Sequence, residues 1–153
     1  MRKKLKVCLA ASAGGHLVQL LRLAASWEKQ ETVFISTLPA VEKQLSRMGR
    51  TYIVGDCNRQ HPLRTLAVSG RVFFAILRER PDIVISTGAA PGFLSCFFGK
   101  LLGARVIWID SIANTQRLSL SGRMIRPFCT ICLTQWKHLR DQRRNIDFAG
   151  AVI

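Results

Sequence analysis

An α/β fold, a single Rossmann-like domain with a mostly parallel sheet over residues 1–153, is what this sequence predicts, on three observations. Short apolar segments rich in Val and Ile alternate with helical segments along the whole chain. The apolar segments lack clean two-residue alternation, as strands covered on both faces do. Glycine- and serine-bearing turns stand where strands give way to helices, at Ser12-Ala13-Gly14-Gly15-His16, at Ser86 to Gly92 and at Asp110-Ser111. The length suits one core without a linker.

In order, Leu5 to Ala11 reads as a strand, Leu17 to Trp27 as a helix, Thr32 to Ser36 as a strand, and Ala40 to Met48 as a helix ending near Gly49. A short strand at Thr51 to Val54 and a polar loop through Arg59 and His61 lead to a long helix, Leu63 to Arg80, stopped by Pro81. Asp82 to Ser86 is a strand, Gly92 to Leu102 a helix after Pro91, and Arg105 to Ile109 a strand. Leu118 to Ile125 is helical, Cys129 to Thr134 a strand, and Trp136 to Arg144 a helix.

The most informative turn is the first. Two adjacent glycines let the backbone approach a ligand closely, and the free N–H groups that open the next helix point at any anion placed there. Phosphate is the natural guest, and His16, the one titratable side chain of the turn, is able to take a proton from a hydroxyl held beside it. Ligands of open parallel sheets bind beyond the carboxyl ends of the strands. Thr87 and Gly88 after the fourth strand and Asp110 after the fifth therefore converge on the same crevice.

The charge of +14, with 23 basic against nine acidic residues, calls for an anionic partner. A composition 48% hydrophobic is more apolar than nucleic-acid binding requires and points to a membrane surface. The long helix has both properties: Arg64, Arg71 and Arg78 recur at heptad spacing beside Phe74 and other apolar residues, a surplus over the stripe that one buried face needs. The basic N-terminus imitates a secretion signal, but Lys6 interrupts its apolar run, and no transmembrane stretch appears, so a cytoplasmic location is expected. Five cysteines read as reduced core thiols. Cys129 and Cys132 lie in an apparent strand that sends their sulfurs to opposite faces, which excludes a zinc or redox pair.

Six segments, Ser12 to Leu17, Pro81 to Ala89, Trp108 to Ser111, Leu118 to Gly122, Thr134 to Trp136 and Phe148 to Val152, occur in an order and spacing that resemble a known family. It is the membrane-associated subunit of the two-subunit N-acetylglucosaminyltransferase that adds the second sugar to dolichol-linked oligosaccharide, together with bacterial relatives in capsule and exopolysaccharide synthesis. The peptidoglycan N-acetylglucosaminyltransferase is similar at a greater distance, through the same glycine turn.

The resemblance implies the N-terminal, acceptor-binding half of a GT-B glycosyltransferase. A separate donor-binding subunit would supply the UDP-sugar site, since only three residues follow Gly150, and the chain alone would be inactive. The implied reaction joins a sugar from a UDP-sugar to a polyprenyl-diphosphate-linked saccharide at the cytoplasmic face of the membrane, with peripheral attachment through Arg64, Arg71, Phe74 and Arg78. Inversion requires a base at the acceptor hydroxyl: His16 is the first candidate and Asp110 the second. Gly14 and Gly15 would hold the acceptor diphosphate, with Ser12, Thr87 and Gly88 nearby. No metal or other cofactor is expected, because no Asp-x-Asp occurs among the five aspartates. Where similar sequences carry a basic residue soon after the acidic one of the fifth strand end, this chain has Asn114 before Arg117. The rival readings are a nucleotide-binding Rossmann enzyme, against which stands the lack of Gly-x-Gly-x-x-Gly and Walker patterns, and a basic nucleic-acid-binding domain, supported by charge alone.

Overall fold

The computed structural model describes residues 4–57 and 62–152; the loop expected through Arg59 and His61 lies outside them. Strands β1 (Lys6–Ala11), β2 (Glu31–Ser36), β3 (Arg50–Ile53), β4 (Ile83–Gly88), β5 (Arg105–Ile109), β6 (Ile131–Thr134) and β7 (Asp147–Phe148) form one sheet. The order is β3-β2-β1-β4-β5-β6-β7, and each neighbouring pair is parallel. The chain reverses its direction of travel across the sheet between β1 and β4, which opens a crevice above their carboxyl ends.

Helices α1 (Gly15–Arg22) and α2 (Glu42–Leu45) belong to one face, α3 (Pro62–Glu79), α4 (Ala89–Leu101) and α5 (Leu120–Ile125) to the other. Under α1 lie Val7, Leu9, Phe34 and Trp27; under α3 to α5 lie Cys8, Ile35, Val84, Val106 and Trp108. The two sets alternate along each strand, so β1 sends Val7 and Leu9 one way and Cys8 and Ala10 the other. Each fully buried large side chain of this kind stabilises the fold by about 1.5–3 kcal/mol.

The structure corrects the sequence reading at several places, among them α1, which stops at Arg22 rather than Trp27, and α2, which keeps only Glu42–Leu45 of the expected Ala40 to Met48. Helix α4 begins at Ala89 rather than Gly92, because Pro91 is its third residue, where the missing N–H would have had no intrahelical partner. Trp136 to Arg144 is not a helix: it forms two 3-10 turns, Lys137–Leu139 and Gln142–Arg144, closed by Asn145 in the left-handed conformation. Lys137, Arg140 and Arg144 would stack like charges three and four residues apart in a helix. The Trp136 indole is also tied to the Ile112 carbonyl at 2.8 Å. Strand β7 went unforeseen. Cys129 precedes β6, so its thiol and that of Cys132 pack on the same side, where the neighbouring thiol and burial together push Cys129 up.

One buried charge ties helix to sheet. Glu79, at the end of α3 and 2% exposed in its side chain, accepts from Tyr52 Oη at 2.6 Å, Arg50 at 2.8 Å and Lys6 Nζ at 3.2 Å. Burial alone would raise this carboxyl, but the three donors outweigh it and hold it down at about 2. A depressed carboxyl stabilises the fold fully above its ordinary value of 4.5, and the contribution drains away as pH falls toward 2. The linked free energy is about 3 kcal/mol. Glu79→Gln is therefore expected to lower the melting temperature at neutral pH. The gap from wild type should close between pH 4.5 and 2 in thermal scans, whereas parallel curves over that range would show that Glu79 titrates normally.

Candidate functional site at the switch point of the sheet

The crevice above β1 and β4 is built from two strand-end turns that fasten each other. Beyond Ala11 the chain turns through Ser12 and Ala13 to Gly14, whose φ of 116° only glycine adopts without strain, and α1 begins at Gly15. No side chain caps this helix, and a Cβ added at Gly14 or Gly15 would meet nothing within 4 Å. Without a cap, the N–H groups of the first turn are left available to an anion. The Ala13 N–H donates to Thr37 Oγ1 at 3.0 Å, fixing the turn to the end of β2. Ser12 is half-buried at its start.

The register between β1 and β4 shifts here: Ala10 pairs with Ser86 and Ala11 with Gly88, so Thr87 is skipped. The freed residue locks His16. Its carbonyl lies 2.9 Å from His16 Nδ1, and its hydroxyl donates to the His16 carbonyl at 2.6 Å. A carbonyl can only accept, so the neutral ring carries its hydrogen on Nδ1 and keeps a lone pair at Nε2. Gly88, with φ of 138°, lies flat beneath the ring, where a Cβ would come within 2.5 Å of the imidazole. Helix α4 opens immediately after it, again without a side-chain cap. His16, Gly14, Gly15, Thr87 and Gly88 are thus brought together as the sequence suggests.

Asp110 has a different environment. It is 1% exposed, and both oxygens are occupied: Oδ1 accepts from Trp108 Nε1 at 3.0 Å and Ser119 Oγ at 2.6 Å, Oδ2 from the Ser119 N–H at 2.8 Å and Asn114 Nδ2 at 3.1 Å. Gly122 packs so closely that a Cβ would lie 2.7 Å from Oδ1. Asn114 is one of the four donors. The carboxylate pins the loop from Ser111 to Leu118 and, through Ser119, caps α5.

Gln135 is a residue that sequence reasoning passed over. Buried after β6, it donates to Gln19 of α1 at 2.8 Å and to the Asp110 carbonyl at 3.0 Å, and accepts from the Val152 N–H at 2.8 Å. One amide side chain thereby joins the first helix, the fifth strand end and the C-terminal segment. Its place in Thr134-Gln135-Trp136 was the available signal.

The proposed membrane residues stand on α3. Leu63, Leu66, Phe74 and Leu77 are exposed, Leu63 at 83%. Arg64, Arg71 and Arg78 follow one flank of this apolar face, with Arg71 reaching inward to the Val54 carbonyl at 3.1 Å. A cavity of about 640 Å³ between Thr37, Leu38, Leu63, Arg64 and Arg71 connects the end of β2 with this helix. No helix among the described residues is long and apolar enough to cross a membrane.

The parallel sheet order with a glycine turn at the switch point defines the class as a Rossmann-like domain, and it matches the N-terminal half of the GT-B glycosyltransferase fold. The MurG of Acinetobacter baumannii superposes with a TM-score of 0.76 at 14% identity, over 96% of this chain and 46% of its own. A UDP-N-acetylglucosamine 2-epimerase from Rickettsia bellii gives 0.71 at 14%, over 98% of this chain and 46% of its own. These likenesses are of fold, and this chain spans less than half of either enzyme.

Sequence comparison narrows the class. The family described as Oligosaccharide biosynthesis protein Alg14 like matches residues 26–152, and the chain belongs to it. The UDP-N-acetylglucosamine transferase subunit ALG14 of Yarrowia lipolytica is 22% identical over 97% of this chain and 81% of its own. The mouse subunit of that name is 22% identical over 99% and 85%, so both alignments span nearly the whole chain.

Removing the Asp110 carboxylate would strand Trp108 Nε1 and the Ser119 N–H in the interior. Asp110→Ala is expected to destabilise the fold by about 3 kcal/mol in urea titrations. A loss below 1 kcal/mol would show that the network is not what holds the loop.

Proposed function

We propose that this chain is the acceptor-binding, membrane-recruiting subunit of a two-subunit inverting glycosyltransferase. The enzyme moves a sugar from a UDP-sugar to a polyprenyl-diphosphate-linked saccharide at the cytoplasmic face of the membrane. The observation that carries this reading is an open anion turn beside a histidine held in the tautomer that leaves Nε2 free. The family relatives, each named as a UDP-N-acetylglucosamine transferase subunit, support it independently.

In this mechanism the free N–H groups opening α1 hold the acceptor diphosphate, aided by the helix dipole and by Ser12, Thr87 and Gly88. The acceptor hydroxyl attacks the anomeric carbon, the bond from that carbon to the UDP oxygen breaks, and His16 Nε2 takes the hydroxyl proton. Thr87 steadies the ring by accepting from Nδ1. Asp110 is a positioning residue, because four donors already occupy the lone pairs that a base would use. The donor-binding partner supplies the UDP-sugar site and meets the charge of the leaving diphosphate.

Two surfaces support the remaining parts. On the α1 side a groove of about 470 Å³ runs over Ile83, Ile107 and Leu133 to Ala151 and Val152, an apolar strip suited to the partner chain. The exposed apolar face of α3 with its arginine flank suits a bilayer surface. The cavity between Thr37 and that helix supports this reading, since Thr37 also holds the glycine turn through Ala13, a layout suited to a diphosphate with a lipid tail.

With the chain reconstituted with its donor-binding partner, His16→Ala should lower transfer at least 100-fold, the range of a lost general base, with pairing and circular dichroism unchanged. Full activity would remove His16 from the chemistry. Arg64→Gln, Phe74→Ser and Arg78→Gln combined should weaken flotation with phosphatidylglycerol vesicles by about tenfold or more. Unaltered flotation would assign this face of α3 to something other than lipid.

A further inference from the structure

Beside the crevice, on the face of the sheet that carries α3 and α4, a second basic feature is not used by this mechanism. A cavity of about 440 Å³ opens between the loop ending in Leu118, helix α5 and the 3-10 turns after β6. Five arginines line it, Arg117, Arg123, Arg126, Arg140 and Arg144, together with His138. Acidic compensation is partial: Arg140 pairs with Asp147 at 2.9 Å and Arg144 with Asp141 at 3.4 Å. Arg126 reaches only the Arg144 carbonyl, at 3.4 Å. Among the described residues Arg117 and Arg123 make no ion pair, although they converge on one cavity.

Like charges gathered this way repel unless an anion joins them, and guanidinium groups bind phosphate oxygens in pairs. The surroundings indicate where the phosphate comes from. Leu120 and Met124 of α5 and Phe128 just after it recur every four residues and are 44%, 53% and 40% exposed. Phe128 meets Phe97 edge-on at 5.8 Å, and Phe97 leads through Phe98 to Phe73 of α3. The arginine cavity therefore borders an apolar surface continuous with the exposed face of α3.

We propose that this cavity is a headgroup site, in which Arg117 and Arg123 grip the phosphate of an anionic phospholipid while Leu120, Met124 and Phe128 enter the acyl boundary. The inference rests on the membrane reading of α3 and adds a second, phosphate-specific point of attachment to it. Two attachment points would fix the orientation of the protein on the bilayer, which one helix alone leaves free to roll.

Vesicle flotation on phosphatidylcholine with and without phosphatidylglycerol tests it, using wild type, Arg117→Gln/Arg123→Gln, a control Lys137→Gln/Arg143→Gln of equal charge outside the cavity, and the α3 triple variant. Each guanidinium lost near an anionic surface weakens binding about fivefold, so the cavity variant should lose about 25-fold and the control much less. Both exchanged arginines are exposed and unpaired, and matching melting temperatures will show that the fold is kept.

Equal losses in the cavity variant and the control would reduce the effect to diffuse charge and overturn the site. A cavity variant that floats like wild type, while the α3 variant does not, would overturn it and leave the α3 reading standing. Absence of wild-type binding to either vesicle would end both. Calorimetry with inorganic pyrophosphate separates the remaining source: if the cavity variant loses pyrophosphate binding yet floats normally, the ligand is a soluble diphosphate and the lipid assignment fails.

Discussion

The parallel pairing of β1 with β4 is the constraint on which the rest of the molecule depends. Because the chain goes outward through β2 and β3 and then returns to the far side of β1, the turns after β1 and β4 diverge and leave a crevice that no other pair of strands provides. A crevice of backbone alone would be loose. The skipped register at Thr87 releases its carbonyl from the sheet ladder, and that carbonyl and the side-chain hydroxyl both close on His16. Together the two bonds tie the turn after β1 to the end of β4, and the one from the Thr87 carbonyl sets the imidazole tautomer, so the state of the ring follows from the topology of the strands. Gly88 is required for the same reason, since a side chain there would occupy the space of the ring.

Asp110 and His16, two titratable groups at strand ends separated by β4, have unlike surroundings. Four donors converge on Asp110, and a carboxylate so satisfied is held rigidly in place. His16 has one bonded nitrogen and one left over. Between them lies the chain of Gln19, Gln135 and the Asp110 carbonyl, which holds α1 at a fixed distance from the fifth strand end. Val152 enters the same amide through its N–H, so the C-terminal segment is held against the site rather than trailing from it.

The strands, the long helix and the glycine turn were legible because each leaves a local signature: Val and Ile runs, a heptad of arginines, two glycines after an apolar segment. Other features were hidden for physical reasons. Pro91 reads as a breaker but is harmless in a first helical turn. Trp136 and Leu139 have helical spacing, yet the cations between and after them and the bond from Trp136 to Ile112 favour tighter turns. Two residues, Asp147 and Phe148, are too few to show a period. The Gln19–Gln135 bond spans 116 positions, a separation at which spacing carries no information. Asp110 could be seen as a strand-end carboxylate, but that Ser119 and Asn114 would be its partners is set by the path of the loop, which their spacing does not reveal.

The distribution of acids explains why so basic a chain folds without self-repulsion dominating. Glu79 and Asp110 are buried among donors, Asp82 accepts from the Lys6 N–H, and Asp141 and Asp147 hold Arg144 and Arg140. The acids thus serve joints of the fold, leaving the cations on α3 and around the α5 cavity to face outward. Positive charge beside exposed Leu, Met and Phe is costly in water, because the apolar atoms gain nothing there and the like charges repel. At an anionic bilayer both costs change sign, as the side chains enter hydrocarbon and each guanidinium meets a phosphate. The glycine turn opens on the carboxyl edge of the same sheet, so under the proposed function a lipid-linked diphosphate would reach His16 with its tail still at that surface.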